Sequence, residues 1–177
     1  MIALFLIIVI AVTGIFAVAQ AEQTPKHLSV SSGAFANGSN IPVKYTCDGQ
    51  DVSPALLWNP GPADTQSYAL VVDDPDAQGA FAHWVVYNIP VNVTRLNEHM
   101  TSIGQLDDGT MQGKNSFGGI GYGGPCPPAG KPHHYRFRVY ALNSVLSIGP
   151  GASMGRVVDA MSGHITAESE LVGVYGR

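Results

Sequence analysis

The chain has 177 residues, room for one domain and hardly for two. Its formal net charge is −4 and it has no run of Lys or Arg, which argues against nucleic acid as a partner held by a basic surface. Twenty-one glycines and twelve prolines favour strands and loops over a helical bundle.

Met1 to Ala21 reads as a targeting segment. Ile2 to Val12 is an unbroken apolar run, and Ala19-Gln20-Ala21 fits the small-x-small cleavage pattern of a signal peptide. No Lys or Arg precedes the run, and the apolar stretch is nearly long enough to span a bilayer. A cleaved signal peptide and a retained N-terminal anchor both remain open. Either puts residues 22–177 outside the cytoplasm: secreted, periplasmic or anchored on the outer side, with only the N-terminal segment meeting the membrane.

After a polar linker at Glu22–Pro25, His27 to Ser31 alternates as a first strand. Asn37-Gly38-Ser39-Asn40 predicts a turn, Ile41 to Thr46 a second strand, and Ala55 to Trp58 a third. Ser67 to Val72 and Trp84 to Ile89 are the apolar runs expected of central strands. Arg95 to Asn115 has no sustained period and reads as a long surface excursion. His134 to Asn143 is a strand with Tyr135, Phe137, Val139 and Ala141 on its apolar face. Met154, Val157, Val158, Met161 and Ile165 form a helical stripe that Ser153 caps and Gly163 interrupts, with His164 on it as a core histidine. Leu171 to Tyr175 closes the chain as a short strand or packed tail. Many short strands between Gly/Pro turns indicate an all-β sandwich or barrel. Trp58 and Trp84 are expected in its core.

Two cysteines, Cys47 and Cys126, suit one disulfide in an exported protein, although sequence cannot show their separation and two free thiols remain open.

Three motifs invite a functional reading. Gly119 to Gly124 matches G-x-G-x-x-G, but Pro125, Pro127 and Pro128 follow at once, so no helix can start to hold a pyrophosphate. What survives is a loop whose N–H groups can receive an anion. Asp74 to Gly79 opens like a calcium loop, yet Gln78 and Val85 stand where Asp or Asn and Glu are needed. Asp73, Asp74 and Asp76 repel one another and invite a cation, for which His83 and His133 are candidates. On strand parity His133 shares the inward face of Tyr135, and His134 points to solvent. Two histidines whose imidazolium forms are favoured by aspartates, beside loop N–H groups, would make a compact receptor for phosphate. The rival is a two-His-one-carboxylate metal site, against which stands the lack of H-x-H or H-x-x-x-H spacing. No G-x-S-x-G elbow is present, and Cys126 among prolines is a poor nucleophile candidate.

DDPDA, then HWVVYNIP, GYGGPCPP and H-x-Y-x-F-x-x-YAL, with YTCDGQDVSPALLW before them and LVGVYGR at the end, resemble the phosphatidylethanolamine-binding protein family, prokaryotic Raf-kinase-inhibitor-like branch. The resemblance covers about Leu28 to Arg177. It implies an antiparallel β-sandwich with a C-terminal helix. It also implies a small anion pocket formed by Asp74, His83, His133 and Tyr135, rimmed by Gly124 and Pro128, with Asp76 holding the loop. The expected protein is then a non-enzymatic binder of a phosphorylated small molecule or phospholipid head group, with no cofactor. A protease or kinase is the partner the family suggests. A protease inhibitor acting through the Arg95 to Asn115 surface, and a metal-dependent hydrolase at the His/Asp cluster, are the alternatives.

Overall fold

A computed structural model describes residues 27–177; the targeting segment read at Met1 to Ala21 lies outside them. The elements are β1 (Val30–Ser31), β2 (Ser39–Asn40), a 3-10 turn (Val43–Tyr45), β3 (Leu56–Trp58), β4 (Ser67–Asp74), β5 (Phe81–Pro90), β6 (Arg95–Leu96), β7 (Met111–Gln112), β8 (His133–Leu142), α1 (Met154–Met161) and β9 (Ile165–Tyr175). They form a large sheet in the order β2-β9-β8-β4-β5-β7 and a small one, β1-β3-β6.

The fold is mainly β, but the large sheet is mixed rather than purely antiparallel, because β2 runs parallel to β9. Gly38 donates its N–H to Val172 and Ile41 donates to Val174, seating an early segment along the last strand. Strands so distant in sequence have no hairpin between them, and only a hairpin would have imposed opposite directions.

β4 is buried along all eight residues because it sits mid-sheet and is covered on both faces. Tyr68, Leu70 and Val72 pack with Trp84, Val86, Phe137, Val139, Leu56 and Trp58 between the two sheets. Ala69 and Val71 turn the other way, to meet Val85, Tyr87, Leu142 and the Val157–Met161 face of α1. Ser153 caps α1, its hydroxyl accepting the Arg156 N–H at 3.3 Å.

The helix stops at Met161, and Gly163 takes φ +79°, a turn open to glycine. The apolar stripe is therefore narrower than its sequence pattern: Val158 and Ile165 are exposed, and Ile165 already belongs to β9. His164 lies beyond the helix, its Nδ1 3.0 Å from the Asn143 amide oxygen. Ile41 to Thr46 is not a strand, since the chain after Pro42 coils into the 3-10 turn. The last strand has eleven residues and pairs along all of β8. Glu168, Ser169 and Glu170 hid its first half, because that stretch is only partly covered. In the 95–115 excursion, fully buried Gln112 accepts from the Trp84 indole and donates to the carbonyls of Thr101 and Ile103.

Cys47 and Cys126 form a disulfide with Cα atoms 5.4 Å apart, joining the segment after the 3-10 turn to the Pro-rich run. The bridge closes a separation of 79 residues, so its loss should free much chain entropy in the unfolded state. Replacing both cysteines by serine is expected to lower the unfolding free energy by about 4 kcal/mol, read from the urea midpoint. An unchanged midpoint would show that the crosslink is energetically idle.

Candidate functional site

Antiparallel pairing brings the end of β4 beside the start of β8, with Asp73 opposite Arg136. Neighbouring strand residues point to opposite faces, so the Asp73-Asp74 pair is split. Asp73 turns away from the inter-sheet core and is held by Arg136 and Arg138, the latter at 2.9 Å. Asp74 turns to the core side, where its Oδ2 accepts the His133 Nδ1–H at 2.7 Å. Asp76, exposed in the turn, accepts both the backbone N–H and the ring Nδ1–H of His134. These hydrogen bonds hold the Asp76 carboxyl below its ordinary value, the backbone contact contributing most. The three carboxylates thus have four partners between them, all on β8, and His83 is not among them.

His83 reaches the site through a β-bulge. The β4–β5 register steps from Val72–Trp84 to Asp73–Ala82, leaving His83 as the extra residue. Ala82 stays on the α1 side, yet His83 does not follow simple alternation to join it. The bulge swings its ring to the core side, 5.0 Å from the Tyr135 ring and edge-on to it. Phe81 and Phe117 pack at 5.1 and 5.5 Å. The ring is 2% exposed, and its Nδ1 lies 2.7 Å from the Gly123 carbonyl. A carbonyl only accepts, so the proton is on Nδ1. Burial pushes the imidazole below its ordinary value, more than Gly123, Gly124, Asp74 and Asp51 raise it. The imidazolium expected here from a neighbouring aspartate is overturned by desolvation: His83 is neutral near pH 7.

Between these groups lies a cavity of about 140 Å³. Asp74, His83, His133 and Tyr135 form its polar wall; Ala77, Phe81, Phe117, Pro127, Pro128 and the Cys126 side chain form the rest. Pockets for drug-sized ligands run to roughly 300–1,000 Å³, so this one fits a head group rather than a whole lipid. Asp74 lines the cavity with both oxygens engaged, because Oδ1 accepts the N–H groups of Asp76 and Ala77. It orients His133 and closes the turn. Tyr135 is wholly buried, and its hydroxyl has no hydrogen-bond partner among the described residues. Burial, reinforced by Asp74 and Asp76, raises the phenol well above its ordinary value, so it stays a proton donor.

The glycine loop offers less than its sequence promised. The N–H groups of Gly118, Gly119, Gly121, Gly123 and Gly124 are spent on Asn115, Gly113, His83 and Asp51. Gly124 stands one layer back from the cavity. A Cβ there would lie 2.6 Å from both the Asp51 carboxylate and the Tyr45 carbonyl, so glycine permits close packing rather than ligand contact. Asp51, which accepts the Gly124 N–H at 2.7 Å, lies within the YTCDGQDVSPALLW stretch, but nothing in the sequence gave it a place at the site. Phe81 and Phe117 were missed too, although both flank predicted site segments. Among the described residues no group of three His, Cys, Asp or Glu is placed to hold a metal ion.

Residues 31–176 match the model of a family described as phosphatidylethanolamine-binding protein. A UPF0098 protein of Methanothermobacter thermautotrophicus is 46% identical over 151 residues, covering 85% of this chain and 99% of its own. LppC of Mycobacterium tuberculosis, a lipoprotein candidate by name, is 41% identical over 84% of this chain and 72% of its own. The crystal structure of CT736 from Chlamydia trachomatis, described as a phosphatidylethanolamine-binding protein homolog, superposes with a TM-score of 0.77 at 38% identity. It covers 86% of this chain and 99% of that one.

Neutral His83 makes stability depend on pH. The unfolded chain titrates at about 6.5, while the folded ring resists its proton. The stabilisation is complete above that value and is lost as pH falls through the folded-state value, because the unfolded chain then binds more protons. The unfolding temperature should drop below about pH 6.5, and should drop less steeply in His83→Gln. Calorimetric scans across this range check it; parallel slopes in the two proteins would mean that the ring protonates freely in place.

Proposed function

The chain belongs to the phosphatidylethanolamine-binding protein family, and we propose that it is an exported, non-catalytic binding protein whose cavity receives a phosphate-like anion, from a phosphorylated small molecule or a phospholipid head group. The observation that carries this reading is the Tyr135 hydroxyl. A buried polar group without a partner costs on the order of 1–3 kcal/mol, and a ligand oxygen in the cavity relieves that cost. His133, held by Asp74 through Nδ1, has its Nε2 left for the same ligand. The cavity's size supports a phosphoryl group or head group as guest.

Two features favour binding over turnover. Cys126 is consumed in a disulfide and is no nucleophile. Asp74 is held through both oxygens, by Asp76, Ala77 and His133, which suits it to a fixed orienting role. Export is favoured by the disulfide, by the apolar N-terminal run and by the lipoprotein candidate among the relatives.

Tyr135→Phe is the cleanest test, because it removes only the hydroxyl. Inorganic phosphate should bind wild type saturably at millimolar concentration in a calorimetric titration. In the variant, affinity should fall about tenfold or more, the usual worth of a hydrogen bond to a charged group, while the unfolding temperature holds or rises. Equal binding by both proteins, or none by wild type, would sink the reading.

A further inference from the structure

The polar wall of the cavity is unusual for an anion receptor. Among the described residues, no Lys or Arg lines it. The glycine N–H groups of the loop beside it are given to other partners. His83 has committed Nδ1–H to Gly123, so the ring nitrogen it has left is Nε2, a lone pair. Burial keeps it so. The titratable groups around this ring are Asp74 from β4, Asp51 from the loop before β3, and Tyr135 and His133 from β8, with the apolar rings of Phe81 and Phe117 packed on it. Two of these are carboxylates, which repel a second negative charge on a ligand. The site therefore sets a donor, the orphaned Tyr135 hydroxyl, against an acceptor, His83 Nε2, with His133 Nε2 beside them for another ligand oxygen.

We propose that the cavity selects a phosphomonoester in its singly charged form, with the ligand's P–OH donating to His83 Nε2 while an unprotonated phosphoryl oxygen accepts from Tyr135. This rests on the anion-binding reading above and narrows it. A phosphodiester, such as an intact phospholipid head group, has the same charge but no P–OH. Sulfate has no proton at all near neutrality. For both, His83 Nε2 would face an oxygen lone pair, the unmatched polar contact that gives sites their sharpest discrimination.

The test is a calorimetric titration of the wild-type protein with methyl phosphate, methylphosphonate, dimethyl phosphate and sulfate, from about pH 5.5 to pH 8. Methyl phosphate should bind at least tenfold more tightly than dimethyl phosphate or sulfate at the acid end. Its affinity should then fall tenfold per pH unit above its second pKa, about 6, as the monoanion disappears. Methylphosphonate, whose second pKa is higher, should move the midpoint upward by the difference between the two ligands. A midpoint common to both would place the controlling proton on the protein and overturn the proposal. So would sulfate or dimethyl phosphate binding within twofold of methyl phosphate, which leaves the anion pocket standing without its proton requirement. Failure of all four ligands to bind would overturn the pocket reading itself.

Discussion

Two adjacent carboxylates end the central strand, and both are nearly inaccessible to water. Burying a charge without a partner costs several kcal/mol, so the sheet depends on what lies next to Asp73 and Asp74. The neighbour is β8. Its outward parity carries Arg136 and Arg138 to Asp73, and its inward parity carries His133 to Asp74. A slip of one residue would face the arginines toward the core and His133 toward Asp73's side, stranding charges on both faces. The register of the β4–β8 pair and the chemistry of the cavity are thus one constraint.

Around that pair the cavity is closed by devices of different kinds. The bulge in β5 turns His83 toward Tyr135. The disulfide draws the Pro-rich run over the strand ends. Asp51 pins Gly124, and Asn115, Gly113 and the His83 carbonyl hold the other glycines of the loop by their N–H groups. The result is a small space whose polar groups are few and already oriented. Preorganisation of this sort lets a weakly charged site discriminate among small ligands, because nothing need rearrange to receive them.

The family relationship and the site geometry speak to different things. A shared fold with relatives from archaea and bacteria establishes the scaffold, and scaffolds of one kind serve many ends. The site speaks to chemistry: an oriented histidine, a neutral histidine and an orphaned phenol, under an aromatic and proline rim. Phe117 at that rim is exposed although it packs edge-on against His83, so the ligand's outer part would meet an apolar surface.

Much was legible in the chain itself. The period-two pattern of Tyr135, Phe137, Val139 and Ala141 set the inward face of β8 and, with it, the direction of His133. The apolar runs of β4 and β5 announced central strands, and Ser153 with the Val157–Met161 spacing announced the helix. Alternation and helical period are local, so residues a few positions apart suffice to reveal them. What the chain could not disclose are facts between segments remote in sequence. The parallel seat of β2 on β9, the closeness of Asp51 to Gly124 and the partnering of the glycine N–H groups all arise where such segments meet. The protonation of His83 is the sharpest case. By sequence it stood near aspartates and should have been cationic. In the folded chain a bulge carries it into a buried aromatic setting, and desolvation outweighs every nearby charge. Desolvation is a property of the whole packed surroundings, and no stretch of sequence contains it.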